Sequence, residues 1–292
     1  MTARARLTTT RAHSDDGTPV SRVARLRTEG PLALRPVGAR GPEPLVRADA
    51  RVARVALASG AAGPLGGDDF SLEVRVGEGS TLVLSEVSST LLLPGPHGGR
   101  SRMRIAITVE SGATFSWRPE PLIAVRGCHH VHEIDVDLAP DARMIMRDEV
   151  VLGRYGEESG RLSQRVRIRR DGHSIYQQRL DLGPGAPGWR SPAVVGGYTC
   201  LGNVLAVGPD ESVTGRVAQL IGDTAALLPL RRSGLVINAL ADDTVGLRRL
   251  LEDGTDLLGE PWSPPRLPKQ GLNAESHPVM TRLAGHPDLV ER

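Results

Sequence analysis

The sequence predicts a mainly β protein, built as an elongated, solenoid-like or β-helix-like stack of two-stranded layers, with one or two short helices in the C-terminal third. One pattern occurs three times: an alternating apolar and polar run, a tight turn, and a second alternating run. The copies occupy residues 71–86, 102–118 and 132–149. Alternation with a period of two is typical of strands that bury one face. The turns at Gly79, Gly112 and Asp141 recur about every thirty residues, which favours stacked layers over a closed barrel.

The remaining elements extend this pattern. A looser fourth copy covers residues 161–182 and turns at Asp171-Gly172. The short polar break inside each copy predicts a hairpin. Before the repeats, residues 23–37 predict two strands joined at Gly30-Pro31, and residues 49–58 predict one more strand.

Helix is predicted only near the C-terminus. Residues 214–221 form a short and ambiguous candidate, whereas residues 241–258 have the pattern of an amphipathic helix. Asp242 or Asp243 would cap its N-terminus. Its apolar side would carry Val245, Leu247, Leu250 and Leu251.

The composition divides the chain into one domain and two tails. Residues 17–260 carry the alternating pattern and predict a single β-rich domain. Residues 1–16 are polar and rich in Thr and Arg, so we expect a disordered N-terminal tail. Residues 261–292 are rich in proline, which predicts a C-terminal tail that orders only against another surface.

Charge and composition exclude several partners. Aromatic residues make up only 3% of the chain, too few for a platform that stacks single-stranded nucleic acid. The formal net charge is +2 with both signs interspersed, and the Arg-rich residues 161–179 fit the solvated face of an amphipathic hairpin better than a phosphate-binding patch. No apolar run is long enough to span a membrane. Two distant cysteines and no secretory segment predict a cytoplasmic protein.

Common enzyme motifs are absent from the sequence. It contains no phosphate-binding Gly-rich loop, no nucleophile elbow and no zinc-type pairing of cysteines. We therefore expect no enzymatic activity and no tightly bound cofactor. A β-helical hydrolase with two facing carboxylates stays open as an alternative, because the sequence does not indicate which carboxylates would meet.

One cluster has the chemistry of a metal site. In the run from Cys128 to Glu133, the side chains of Cys128, His130 and His132 would project from one face of a strand. Thiolate and imidazole suit nickel, zinc or copper. The alternative is a polar strand edge or loop. This cluster also leaves open a stand-alone nickel or zinc storage protein.

A set of ordered motifs resembles a known family. Over roughly residues 22–265, the chain is similar to the urease accessory protein UreD, called UreH in some organisms. The matching motifs are Gly66-Gly67-Asp68, Gly112-Ala113, Trp-x-Pro-x-Pro-x-Ile at 117–123, Leu152-Gly153-Arg154, Gly156-Glu157 and the segment 234–241.

The resemblance implies a non-catalytic assembly factor. Such a protein would bind apo-urease on one side and UreF on the other, with the GTPase UreG joining to deliver nickel, and a homodimer within this complex is compatible with it. Transient Ni(II) would pass through the interior. Asp68, Glu120, Glu149 and Glu157 lie in the matching motifs and could offer oxygen ligands, which hold nickel weakly enough to release it. Glu120 replaces a glutamine that is common in the family.

Overall fold

The computed structural model describes residues 1–39, 41–47, 50–231 and 234–264. The predicted mainly β, solenoid-like fold is confirmed. The elements, in chain order, are β1 (Thr2–His13), β2 (Pro19–Arg27), β3 (Leu32–Pro36), β4 (Ala53–Ser59), β5 (Asp69–Val76), β6 (Thr81–Glu86), β7 (Thr90–Leu92), β8 (Ser101–Val109), β9 (Thr114–Arg118), β10 (Leu122–Ala124), β11 (His129–Leu138), β12 (Arg143–Val151), β13 (Arg161–Arg170), β14 (His173–Leu182), β15 (Cys200–Val207), α1 (Glu211–Thr214), β16 (Gln219–Ile221), β17 (Ala225–Leu230), β18 (Gly234–Ala241) and α2 (Thr244–Asp256).

The strands form two sheets that face each other. Sheet I has the order β14-β13-β11-β8-β5-β1-β2, and its five central strands are parallel. Sheet II has the order β16-β17-β18-β15-β12-β9-β6-β4-β3, with β10 and β7 attached beside β12. The strands from β4 to β12 in sheet II are parallel as well. Parallel neighbours in both sheets are what a stack of repeated layers produces.

The first three repeats are arches, so the hairpin prediction is wrong for them. The two strands of each copy lie in different sheets: β5, β8 and β11 in sheet I, and β6, β9 and β12 in sheet II. Only the fourth copy, β13 and β14, pairs with itself as an antiparallel hairpin. Alternation shows which side chains of a strand are buried, but it does not show which strand supplies the hydrogen-bond partners.

The turns of the arches stack on one another. The Gly79 amide donates to the Ser111 carbonyl at 2.9 Å, and the Arg143 amide donates to the Ala113 carbonyl at 3.0 Å. Gly79 and Gly112 have φ angles of 59° and 62°, a region that favours glycine. The regular spacing of these turns in the sequence therefore reflects their contact in space.

The N-terminus is ordered, and the prediction of a disordered tail over residues 1–16 is wrong. β1 lies inside sheet I between β5 and β2. It buries Ala3, Ala5, Leu7 and Thr9 toward sheet II. Small alanine side chains alternating with Arg and Thr give a weak hydrophobic signal, yet they are buried in the main core. The domain thus includes residues that the sequence had suggested were a tail.

The main core lies between the two sheets. It includes Leu72, Ile107, Phe115, Trp117 and Met144, all almost fully buried. A second cluster lies on the outer face of sheet II, where α2 packs. The two clusters hold sheet II between sheet I and the helix, which fixes both faces of β12.

The helix predicted over residues 241–258 is confirmed as α2. Asp243 is its N-cap, and its carboxylate accepts a hydrogen bond from the Gly246 amide at 2.7 Å. Leu247 and Leu251 are buried as expected, but Val245 is 78% exposed, so its assignment to the buried side is wrong. In the segment 214–221, the first residue ends α1, residues 219–221 form the edge strand β16, and residues 215–218 belong to neither element.

Most of the predicted C-terminal tail, residues 265–292, lies outside the described residues. Its beginning packs against the domain, because Trp262 is fully buried in the cluster beneath α2. The strand predicted over residues 49–58 is observed as β4, which begins only at Ala53, and residue 49 lies outside the described residues. In the described part of the chain, no helix has both the length and the apolar character needed to cross a bilayer.

Candidate functional site

The histidines of the predicted metal cluster lie inside the protein. His130 and His132 alternate with partly buried positions on β11 and point between the sheets, with 0% and 6% of their surface exposed. Their ring centroids are 5.8 Å apart. The Nδ1 atom of His130 lies 2.8 Å from the Ser101 hydroxyl. Among the described residues, His130 Nε2 and His132 Nδ1 have no hydrogen-bond partner.

Burial keeps both imidazoles neutral. It lowers the pKa of His130 well below its ordinary value, with a smaller contribution from the neighbouring His132, and it lowers the pKa of His132 to about 4. A neutral imidazole has a free lone pair on one ring nitrogen, which is the form that binds metal ions. At neutral pH the pair could therefore offer two nitrogen donors.

The pair borders a small internal cavity of about 60 Å³. Its wall is mostly apolar, with Phe70, Met103 and Leu122 beside the two rings, and it also carries the Glu86 side chain. Burial raises the pKa of Glu86 to about 8, and the nearby charges of Glu120 and Asp148 act in the same direction. The space is large enough for one or two water molecules.

Polar side chains continue from this cavity across the interior. His132 is opposite Gln164 on β13, and Gln164 Nε2 donates to Asp148 Oδ2 on β12 at 2.7 Å. Asp148 is opposite Asn203 on β15, which is opposite Asn238 on β18. We call these six residues, His130, His132, Gln164, Asp148, Asn203 and Asn238, the polar row. Two hydrogen bonds connect it across the sheets: the contact between Gln164 and Asp148, and a longer one of 3.5 Å from Asn203 Nδ2 to Gln178 Oε1 on β14.

Asp148 is the charged member of the polar row. It is 4% exposed, and burial raises its pKa to about 6, with Glu149 adding to the shift and Gln164 opposing it. Tyr176 on β14 lies near it, and its hydroxyl also has no hydrogen-bond partner in the described structure. The row thus combines a carboxylate with several polar atoms whose bonding capacity is unused.

Two of the predicted carboxylates meet on the outer face of sheet II. Arg248 on α2 donates to Glu120 at 2.6 Å and to Glu149 at 3.1 Å. Glu149 is 1% exposed and also contacts Arg147 Nε at 2.7 Å. Because Asp148 and Glu149 are consecutive on a strand, they point to opposite faces. Glu149 therefore holds the helix, whereas Asp148 belongs to the interior.

The other predicted ligands lie apart from the histidine pair. Asp68 accepts from the Met1 ammonium at 2.7 Å and from the Leu65 amide at 2.8 Å, so it fixes the start of the chain. Glu157 is bound to Arg154 in an exposed turn. The Cys128 thiol is buried against the chain at Gly160, and burial raises its pKa to about 11. In the described residues, no group of three His, Cys, Asp or Glu side chains is arranged to hold a metal ion.

Four residues of the interior and of the outer ion pairs were not among the predicted site residues: Glu86, Gln164, Asp148 and Arg248. A signal for Asp148 was present, because it continues the inward positions Met144 and Met146 along β12. Glu86 likewise follows Leu82 and Leu84 on β6. No signal connected Arg248 to Glu120 and Glu149, since 99 or more residues separate the helix from its partners.

The fold and this site define a class of protein: a β scaffold of stacked arches whose core is polar at one end. Comparison with known proteins makes the assignment specific. The family model described as "UreD urease accessory protein" matches residues 1–269. The chain belongs to this family, which by its name is one of accessory proteins.

Relatives carry the same name. The chain is 40% identical to a urease accessory protein UreD of Streptomyces avermitilis, over 84% of this chain and 94% of the relative. It is 39% identical to one of Frankia casuarinae, over 82% of this chain and 84% of the relative. A third, from Streptomyces coelicolor, is 38% identical over 78% of this chain and 86% of the relative.

Proposed function

We propose that this chain is a cytoplasmic urease maturation factor, which binds apo-urease and helps deliver nickel to its active site together with UreF and the GTPase UreG. The observation that carries the proposal is the polar row, found in a chain whose family is named for urease. Nickel would be a cargo that passes through, held only transiently.

The energetics of the polar row support a role beyond folding. A buried polar atom without a hydrogen-bond partner costs about 1–3 kcal/mol. The row and its neighbours contain several such atoms, including His130 Nε2, His132 Nδ1 and the Tyr176 hydroxyl. A scaffold selected for stability alone would place apolar side chains here, as it does elsewhere between the sheets. Unused lone pairs on such atoms would instead suit a hydrated cation in transit.

The donor set supports weak binding. The two neutral imidazoles are borderline donors that suit Ni(II), and the Asp148 carboxylate is a hard donor that binds it less well. Glu86, with a pKa of about 8, would become a second hard donor only on losing its proton. These groups lie one after another along the interior, and they do not surround a single point. An ion would therefore exchange between pairs of ligands, which favours release over storage.

The test is a comparison of urease matured with and without the chain. Urease would be produced with its other accessory proteins, and its nickel content and specific activity would be measured. We expect both to fall to near background without the chain and to return when it is restored. Unchanged nickel content and activity would refute the proposed function.

The histidine pair also allows a second candidate, a stand-alone nickel or zinc storage protein. This candidate predicts tight binding by the isolated chain that is lost in a His130→Leu/His132→Leu variant. Calorimetric titration with Ni(II) would separate the two. A maturation factor should bind weakly alone and still be needed for active urease, whereas a storage protein should bind tightly and be dispensable.

A further inference from the structure

A wide groove lies between three segments outside the polar row: the turn after β12, the loop before β15 and the first turn of α2. Its volume is about 750 Å³. We call it the aromatic groove and define it by Tyr155, Trp189, Tyr198, Glu158, Asp242 and Asp243, of which Glu158 and the two aspartates form the rim.

The groove concentrates aromatic side chains in a chain that has few. The whole sequence contains 3 Trp, 3 Tyr and 2 Phe. Four of these eight are buried in the hydrophobic clusters, and Tyr176 lies at the edge of the interior. The remaining three all line the groove. Tyr155 is exposed, whereas Trp189 and Tyr198 are partly buried. Tyr and Trp gathered at one place on a surface are typical of protein interfaces, where they account for much of the binding energy.

Tyr155 lies on a turn whose backbone is held by contacts of the flanking residues. Its side chain is fully exposed, so folding of the chain does not explain its position. On either side of it, Arg154 donates from Nε and Nη2 to the Glu157 carboxylate at 2.8 and 3.1 Å. Gly153 closes the turn with φ 89°, and a Cβ there would lie 2.3 Å from the Glu157 carbonyl oxygen. These contacts hold the backbone of the turn in place, and a turn ordered before binding loses less entropy when it docks.

The rim of the groove is acidic. Glu158 and Asp242 are exposed and make no ion pair with any described residue, and Asp243 adds a third carboxylate at the helix N-terminus. Arg154 and Glu157 neutralise each other. The guanidinium of Arg190 lies 4.7 Å from the centre of the Trp189 ring, so the aromatic wall already holds one cation by stacking. A segment with arginine or lysine side chains would match both the charge and the aromatic faces.

We infer that the aromatic groove is a docking surface for a basic segment of a protein partner, with Tyr155 as the anchor that inserts into that partner. The inference rests on the proposed function only in that the partner belongs to the urease maturation assembly. It does not depend on nickel passing through the polar row. The occupant is another protein, because it has to supply two things together: a cationic segment that lies in the groove, and a pocket on its own surface that accepts Tyr155.

The experiment measures binding of the full chain to two probes, purified apo-urease and purified UreF with UreG. Tyr155→Ala should weaken binding to one probe about tenfold or more, whereas Tyr155→Phe, which keeps the ring, should stay within about twofold of the wild type. The double reversal Glu158→Arg/Asp242→Arg should weaken the same complex by a similar factor. It should also remove most of the dependence of affinity on salt.

The matched control is Asp253→Arg, a charge reversal at an exposed position near the other end of α2, which should leave binding within about twofold. Thermal unfolding of each variant should match the wild type, because these side chains are exposed. If Tyr155→Ala and the double reversal bind both probes as the wild type does, the inference is wrong. It is equally wrong if these variants disrupt only pairing between two copies of this chain.

Failure of this inference can be told apart from failure of the proposed function. Each variant is also tested for restoring urease activity in cells that lack the chain. A wild-type chain that restores no activity would overturn the proposed function. A wild-type chain that restores activity, with groove variants that bind and restore it equally well, would overturn only the docking surface.

Discussion

The two halves of the space between the sheets differ although the same strands line both. Near the stacked turns, β11 points Ile134, Val136 and Leu138 inward, and at its other end it points His130 and His132 inward. β12 shows the same change, from Met144 and Met146 to Asp148, and β13 from Ile168 and Val166 to Gln164. Every second residue of each strand continues to point inward, although β12 also buries Ile145 and Glu149 on its outer face. Alternation therefore determines which side chains point between the sheets, and their chemistry has a separate cause.

This contrast assigns different roles to the two halves. The apolar half stabilises the fold through the burial of hydrocarbon. The polar half contains buried groups that lack partners or carry a raised or lowered pKa, and these cost stability. Four substitutions test this difference, beginning with the largest expected effect.

Phe115→Ala, in the apolar half, should lower the free energy of unfolding by about 3–5 kcal/mol. Phe115 is fully buried, and the deletion would leave a cavity between the sheets. Urea denaturation followed by circular dichroism measures the change. A loss below about 1 kcal/mol would mean that this half does not stabilise the fold as described.

Asp148→Asn, in the polar half, should stabilise the protein by about 2 kcal/mol at pH 8. The folded-state pKa of Asp148 is raised from 3.8 to about 6. The contribution of this group to the free energy of unfolding is therefore fully present below pH 3.8 and is lost as the pH rises through 6. Asparagine keeps an oxygen for the Gln164 amide and carries no charge. The urea midpoints of the variant and the wild type should be similar at pH 4.5. At pH 8 the midpoint of the variant should be clearly higher. A variant less stable than the wild type at pH 8 would show that the charge is well accommodated.

His132→Leu should reduce the sensitivity of the fold to acid. The folded-state pKa of His132 is lowered from 6.5 to about 4, so the neutral ring contributes stability above pH 6.5 that is lost as the pH falls toward 4. At pH 5 the wild type should lose about 1–2 kcal/mol more than the variant, relative to pH 7.5. Equal losses in both proteins would contradict the buried, neutral state of this histidine.

Arg248→Met should have the smallest effect, a loss of about 1 kcal/mol, because the Arg248 side chain is 35% exposed and solvent screens its ion pairs. Glu149 would still contact Arg147. Hydrogen exchange in α2 should accelerate while exchange in β11 stays unchanged. Acceleration in β11 instead would indicate that the outer ion pairs and the polar row are one network.

The sequence allowed the fold class to be predicted because buried strands need alternation and tight turns need particular residues. The arches could not be told from hairpins, since both produce the same alternation. The N-terminal strand was missed because Ala3 and Ala5 carry little hydrophobic signal, although they pair with β5 in sheet I and are buried in the core.

The candidate site was predicted in part. His130 and His132 were correctly placed on one face of a strand, but Cys128 joined a different cluster, with the chain at Gly160. Asp148 and Gln164 meet only because β12 and β13 belong to opposite sheets. Contacts of this kind depend on how the layers stack, which local sequence does not specify.

The most direct test of the central claim is the nickel content of urease matured with a chain whose polar row is blocked. The variant His132→Leu/Asp148→Leu would be compared with the wild type and with Val136→Leu, a control in the apolar half of β11, after each is shown to fold. We expect urease matured with the double variant to contain nearly as little nickel as urease matured without the chain, and the control to support full loading. Full nickel content with the double variant would contradict passage along the polar row.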